Sequence, residues 1–277
     1  MKTARQVKDL IRNLSRKTGV DPQVLIRQYM MDHLLERISQ SHYRDHFILK
    51  GGMLISALVG VTLRSTLDMD ATIKGFPLES ETIQSMFNEV IMIEIDDGIR
   101  YRINAIEVIH EDSEYNGFRL SLSAFLDESR IPLKIDITTG DIITPKEIGF
   151  DYPMLLENRS ISIYSYNLET VLAEKLETIL SRSIANTRMR DFYDIHILIS
   201  NKQNIFMHDI FRAAFSATSK FRDSQYSQDE IKKTIQTIKS SSELESNWYQ
   251  YQSRNDFANE LTYSDVCSSL EKLICML

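Results

Sequence analysis

The sequence predicts an α+β chain: N-terminal helices and a mixed or antiparallel sheet at the front, then an all-helical C-terminal domain. Three observations carry this expectation. Apolar residues recur at the helical period at both ends of the chain, alternating apolar and polar residues fill the middle, and an Asn-Gly pair separates two of the alternating runs. With 277 residues, 43% hydrophobic and 26% charged, the chain has the composition of a soluble globular protein long enough for two modest domains. The expected division is 1–165 for the α+β domain and 166–277 for the helical one.

The elements are expected as follows. Residues 3–18 form a helix on which Val7, Leu10, Ile11 and Leu14 repeat at the helical period. A second helix covers 22–40, with Asp21 as cap and Pro22 at its first position. A short helix runs from Gly52 to about Val59. Residues 66–73, 101–109, 118–125 and 132–138 alternate as strands do, and Asn116-Gly117 is placed as a hairpin turn. Helices are then expected at 168–183, 190–200, 206–218, 228–240 and 256–276, joined by short loops near 200, 224 and 241.

Charge and cysteine content narrow the function classes. The formal net charge of -7 argues against a protein coated in positive potential for nucleic acid. The first 20 residues nevertheless carry Lys2, Arg5, Lys8, Arg12, Arg16 and Lys17 against Asp9 alone, which is either a local grip on a polyanion or the solvated face of a terminal helix. No apolar run approaches a membrane span or a secretory signal, so no membrane association is expected. The two cysteines, Cys267 and Cys275, make no disulfide framework, and a reducing cytoplasm is the expected setting.

Four sites could carry chemistry. In Leu67-Asp68-Met69-Asp70-Ala71, strand alternation puts both carboxylates on one face, about 7 Å apart, and a divalent cation such as Mg²⁺ would relieve their repulsion. In Leu133-Lys134-Ile135-Asp136-Ile137, Asp136 sits in an apolar strand, where an acid is costly unless paired or metal-bound. It either ion-pairs with Lys134 or joins Asp68 and Asp70 as a third metal carboxylate. On the helix after residue 168, Lys175 lies about 20° from Leu168 within the apolar stripe, so it snorkels, pairs with a buried acid, or meets an anion. Asp191 falls between Ile195 and Leu198 on the next helix, with Asp194 at the edge, as a structural acid or a general base on a substrate hydroxyl.

Taken together, LKGGMLIS with LRSTLDMDATI, then LKIDITTGD, LAEKLETILSR and RDFYDIHIL, resemble the AbiEii/AbiGii toxin family of type IV toxin–antitoxin and phage-resistance systems. The resemblance spans about residues 49–200 and implies a nucleotidyltransferase-like fold of the polymerase β type. It further implies an enzyme using Mg²⁺ or Mn²⁺ and a nucleoside triphosphate, GTP or a pyrimidine triphosphate among the choices. On the matching positions, Asp68, Asp70 and Asp136 would hold metal. Gly51, Gly52, Thr66 and Lys175 would meet the nucleotide, and Asp191 would act as base beside the catalytic Asp68, Asp70 and Lys175. Transfer to the 3′ end of tRNA, blocking translation and growth, would follow, with Arg182, Arg188 and Arg190 gripping RNA and a cognate antitoxin opposing the activity. A protein or small-molecule acceptor, or a non-catalytic nucleotide-binding module, are the alternatives. Thr66 and Ser65 stand just ahead of the carboxylate pair, where phosphorylation would bring about -1.5 to -2 charges to the site.

Overall fold

The computed structural model describes residues 3–76, 79–110, 116–202 and 206–277, which excludes Lys2 of the basic N-terminal run. Two compact units divide the chain: 1–141 with 147–165, and 142–146 with 166–277.

The first unit opens with α1 (Ala4–Thr18), started by a Thr3–Gln6 capping box, and α2 (Pro22–Gln40), capped by Asp21. Val7 and Ile11 of α1 are buried, while Arg5, Lys8, Arg12, Arg16 and Lys17 are exposed on its other sides. The chain continues through β1 (Phe47–Lys50), α3 (Gly51–Val59), β2 (Met69–Ile73) and α4 (Ser80–Ile91). Three long strands follow, β3 (Ile99–His110), β4 (Asn116–Leu126) and β5 (Ser129–Thr139), and then β6 (Ile148–Pro153) and β7 (Ser160–Ser165). The seven strands form one mixed sheet in the order β3-β4-β5-β2-β1-β7-β6. β2 runs parallel to β5 and antiparallel to β1, and β1 runs parallel to β7. Met69, Ala71, Ile135 and Ile137 are fully buried on these central strands. α2 packs against β5 and β7, and α3 against β1 and β2.

Several elements differ from the sequence expectation. Asn116 and Gly117 are not a turn but the start of β4, paired with His110 and Ile109, and the connection at 111–115 lies outside the described residues. β2 starts only at Met69, so Asp68 and Thr66 precede the strand. β1, β6, β7 and α4 were not expected; β1 is four residues long and runs straight into a helix, too short to show a period.

The second unit holds α5 (Leu168–Arg182), α6 (Met189–Lys202), α7 (His208–Phe221), α8 (Gln228–Lys239), α9 (Ser242–Gln252) and α10 (Tyr263–Ile274). α5 packs on α6 and α7, and α6 on α9 and α10. Where a loop was expected at 241, Ser241 caps α9. The helix expected at 256–276 is a short 3-10 turn, Asp256–Ala258, followed by α10, which restarts on a Thr262–Asp265 capping box. Cys267 is buried and Cys275 exposed, both as free thiols. Among the described residues no helix is long and apolar enough to cross a membrane.

Candidate active site

Strand register assembles the first site. β1–β2 pairing sets Lys50 opposite Asp70, β2–β5 pairing sets Asp70 opposite Asp136, and β4–β5 pairing sets Asp136 opposite Arg119. Residues opposite each other on neighbouring strands share a face, with strands about 4.8 Å apart. Four charges therefore stand in a row across the sheet, in the order cation, carboxylate, carboxylate, cation.

Each member has defined partners. Asp70 accepts a hydrogen bond from the Gly52 amide at 3.2 Å, so its carboxylate lies over the start of α3, where the helix dipole favours negative charge. Burial pushes the Asp70 carboxyl above its ordinary pKa; the Gly52 amide and Lys50 pull it back, while Asp136 and Asp68 push it further up. Lys50 donates to Thr138 Oγ1 at 2.8 Å and to Asp141 Oδ2 at 2.7 Å, and Asp141 is held below the usual carboxylate range despite its burial, chiefly by Lys50. Asp136 receives both prongs of the Arg119 guanidinium, Nε at 2.8 Å and Nη2 at 2.6 Å. Its partner is thus Arg119 across the hairpin, not Lys134 two residues away.

The glycine pair is required by this geometry. Gly51 has φ +64°, and a Cβ there would overlap the Asp70 carboxyl group, coming within 2.7 Å of Asp70 Cβ. A Cβ on Gly52 would come within 2.8 Å of Thr66 Oγ1. Thr66 is buried, with its hydroxyl donating to the Asp68 carbonyl at 3.1 Å, so that hydroxyl shapes the bend presenting Asp68 and is turned away from solvent. Asp68, half-buried, keeps its carboxylate close enough to act electrostatically on both Asp70 and Arg119. Among the described residues no set of three or more acidic, histidine or cysteine side chains is already gathered as a metal cage. Asp68 and Asp70 are hard oxygen donors whose mutual repulsion the Gly52 amide and Lys50 offset only in part, which suits a divalent cation; Asp136 is engaged elsewhere.

The helical unit carries a second cluster. Lys175 on α5 contacts Asp191 Oδ1 at 2.7 Å and Asp194 Oδ2 at 2.8 Å on α6. Burial opposes the ammonium charge, but the two carboxylates outweigh it and hold the Lys175 pKa above its ordinary value. Arg188 Nε reaches Asp191 at 3.5 Å. Arg188 and Arg190 are exposed and Arg182 half-buried at the α5–α6 junction.

Sequence reasoning brought out Asp68, Asp70, Asp136, Lys175 and Asp191 and missed Lys50, Asp141 and Arg119. Lys50 and Asp141 stand inside the segments LKGG and TTGD. Arg119 is found only once the hairpin register is known, through the two-residue turn that sets Leu126 opposite Ser129.

A family model for the nucleotidyl transferase AbiEii toxin of type IV toxin–antitoxin systems matches residues 33–266. The crystal structure of JHP933 from Helicobacter pylori is similar in fold, with a TM-score of 0.52 at 16% identity over 93% of this chain and 91% of that one. A second H. pylori structure, provisionally described as a nucleotidyltransferase, gives a TM-score of 0.48 at 16% identity, covering 93% and 94%. No curated protein sequence matches the chain.

Proposed function

We propose, since the chain belongs to the AbiEii nucleotidyl transferase toxin family of type IV toxin–antitoxin systems, that it transfers a nucleotide from a nucleoside triphosphate to an RNA end, with tRNA as acceptor: the 3′ hydroxyl attacks the α-phosphorus, and the bond to the β-phosphate breaks to release pyrophosphate. The observation that carries the reading is the Asp70 carboxylate, over the Gly51-Gly52 helix start and opposite a second acid. Asp68 and Asp70 would hold Mg²⁺ or Mn²⁺. When bound, the ion would neutralise triphosphate charge and acidify the attacking 3′ hydroxyl.

The chain's own groups divide the remaining work. With no Cβ, Gly51 and Gly52 leave room for the Asp70 and Thr66 side chains against the first turn of α3, so that the Gly52 amide holds the Asp70 carboxylate at the proposed cation site. Lys50, held by Asp141 and Thr138, fixes the end of β1 and supplies positive charge beside Asp70. Lys175 would contact phosphate, and Asp191 would accept or steer the hydroxyl proton, the two being held as one unit by their 2.7 Å bond. Phosphoryl-group transfer asks mainly for positioning and charge stabilisation, which these groups supply. Arg182, Arg188, Arg190 and the exposed basic side of α1 would hold the RNA backbone. Modified tRNA would stop translation and growth, in phage defence, with a cognate antitoxin opposing it.

The test is incubation of the protein with total tRNA, Mg²⁺ and each α-labelled nucleoside triphosphate in turn. A labelled tRNA band that Asp70→Ala abolishes supports the proposal. Label appearing on protein or on a small molecule moves the acceptor, and no transfer of any kind leaves a non-catalytic nucleotide-binding module.

A further inference from the structure

Arg119 has no place in the transfer reaction as described, yet it makes the best-formed ion pair on the face of the sheet that carries Asp70. Its fork grips both oxygens of Asp136 at 2.8 and 2.6 Å, a bidentate charge-assisted geometry. Asp136 is in turn the direct strand neighbour of Asp70. The Arg119 side chain is 36% exposed and that of Asp136 17%, so the pair borders solvent and can exchange partners at modest cost. At the other end of the row Lys50 is tied to Asp141 and Thr138.

We propose that Arg119 is an internal counter-ion for the carboxylate row. It occupies Asp136 while the site is empty of cation, and it makes loading of a divalent cation depend on a polyphosphate that takes over the guanidinium. A bare divalent ion drawn toward Asp68 and Asp70 meets an Asp136 already neutralised by Arg119, and the guanidinium repels it. A polyphosphate brings anionic oxygens that match the same fork, releasing Asp136 to add its charge to the cation site. Cation and polyphosphate then favour each other's binding, as linkage requires of any shared intermediate state. Arg119 acts here as a positioning residue, through Asp136. The inference rests on the proposed cation role of Asp68 and Asp70.

The experiment follows free Mn²⁺ by electron paramagnetic resonance, with and without inorganic tripolyphosphate, which carries no base and so needs no knowledge of base preference. Arg119→Ala is expected to bind bare Mn²⁺ roughly tenfold tighter than the unmodified protein, and the affinity gained on adding tripolyphosphate should shrink by a similar factor. Arg119→Lys, which keeps the charge but loses the fork, should fall between. A gain in affinity is not what disruption of a merely structural arginine produces. Bare Mn²⁺ binding that is unchanged or weaker in Arg119→Ala overturns the inference. Asp70→Ala separates the two ideas: Mn²⁺ binding that survives it contradicts the proposed cation site, whereas its loss beside equal affinities in the Arg119 series contradicts the counter-ion alone.

Discussion

Gly51 shows how one residue type sets the geometry of the candidate site. Its φ of +64° is costly for any side chain, and the space a Cβ would need is filled by the Asp70 carboxyl group. Gly51→Ala is therefore expected to cost about 1–3 kcal/mol of stability and to displace Asp70, so Mn²⁺ affinity should fall along with the urea midpoint; unchanged cation binding would show that Asp70 is not held by this contact. Lys175 gives a second expectation. Removing it takes from the buried Asp191 and Asp194 the ammonium that lies 2.7 and 2.8 Å from them, leaving Asp191 the longer 3.5 Å contact of Arg188, so Lys175→Ala should lose about 3 kcal/mol. A thermal melt reads this directly, and an unshifted melt would mean the ion pairs are not holding α5 to α6. The carboxylates were legible as residues because acids inside apolar strands and helices stand out. Their partners were not, since a partner supplied by another strand depends on register, which local periodicity leaves open.

At the scale of elements, α2 is the helix that departs most from its sequence pattern. It buries not only Leu25, Met30, Leu34 and Leu35 but also Gln28, Asp32, His33, Glu36 and Arg37, so no simple apolar stripe marks it. Three of the charged groups are met from elsewhere in the unit: Arg37 by Asp97 at 2.6 and 3.0 Å, Glu36 by Arg159 at 2.6 and 2.8 Å, Asp32 by the Tyr152 hydroxyl at 2.7 Å. Asp97 is itself buried, a cost that hydrogen bonds from His33, Arg37 and the Ile99 amide outweigh, bringing its pKa down to about 2. Because the folded value lies below the unfolded one of about 4, this stabilisation is present above pH 4 and is lost as pH falls through 2. Asp97→Asn should thus be less stable by about 2–3 kcal/mol at pH 7, and the gap should narrow between pH 4 and pH 2 in urea titrations; a gap independent of pH would contradict the ion-pair account. The spans of α1, α2, α5 and α8 were readable to within a residue from period, and for α2 from its Asp21 cap as well. α4 was not, although Ile83, Met86, Phe87 and Val90 form its buried side, because its short apolar spacing lies between two segments without a clear pattern. The three-serine run before α9 reads as a loop until Ser241 is recognised as a cap.

For the whole molecule, charge is the property that bears on function. A net charge of -7 leaves RNA binding to local patches, and α1 presents five exposed cations on a helix anchored by Val7 and Ile11. If these and the α5–α6 arginines meet four or five phosphates of RNA, the affinity should fall with salt at a log–log slope of roughly -3, read by fluorescence anisotropy of labelled tRNA; a flat response would remove RNA contacts from the account. The order of helices, sheet and helices was legible because it follows from period alone. That Lys50, Asp70, Asp136 and Arg119 stand side by side was not, because it needs strand order and register together. The most direct measurement is transfer of α-labelled nucleotide to tRNA in the presence of Mg²⁺, by the unmodified protein and by Asp70→Ala. The account predicts a labelled tRNA band with one or more of the four triphosphates, lost in Asp70→Ala under conditions where its circular dichroism spectrum is unchanged. Equal labelling by the two proteins would contradict the assignment of the site, and no labelling by either would contradict the proposed reaction.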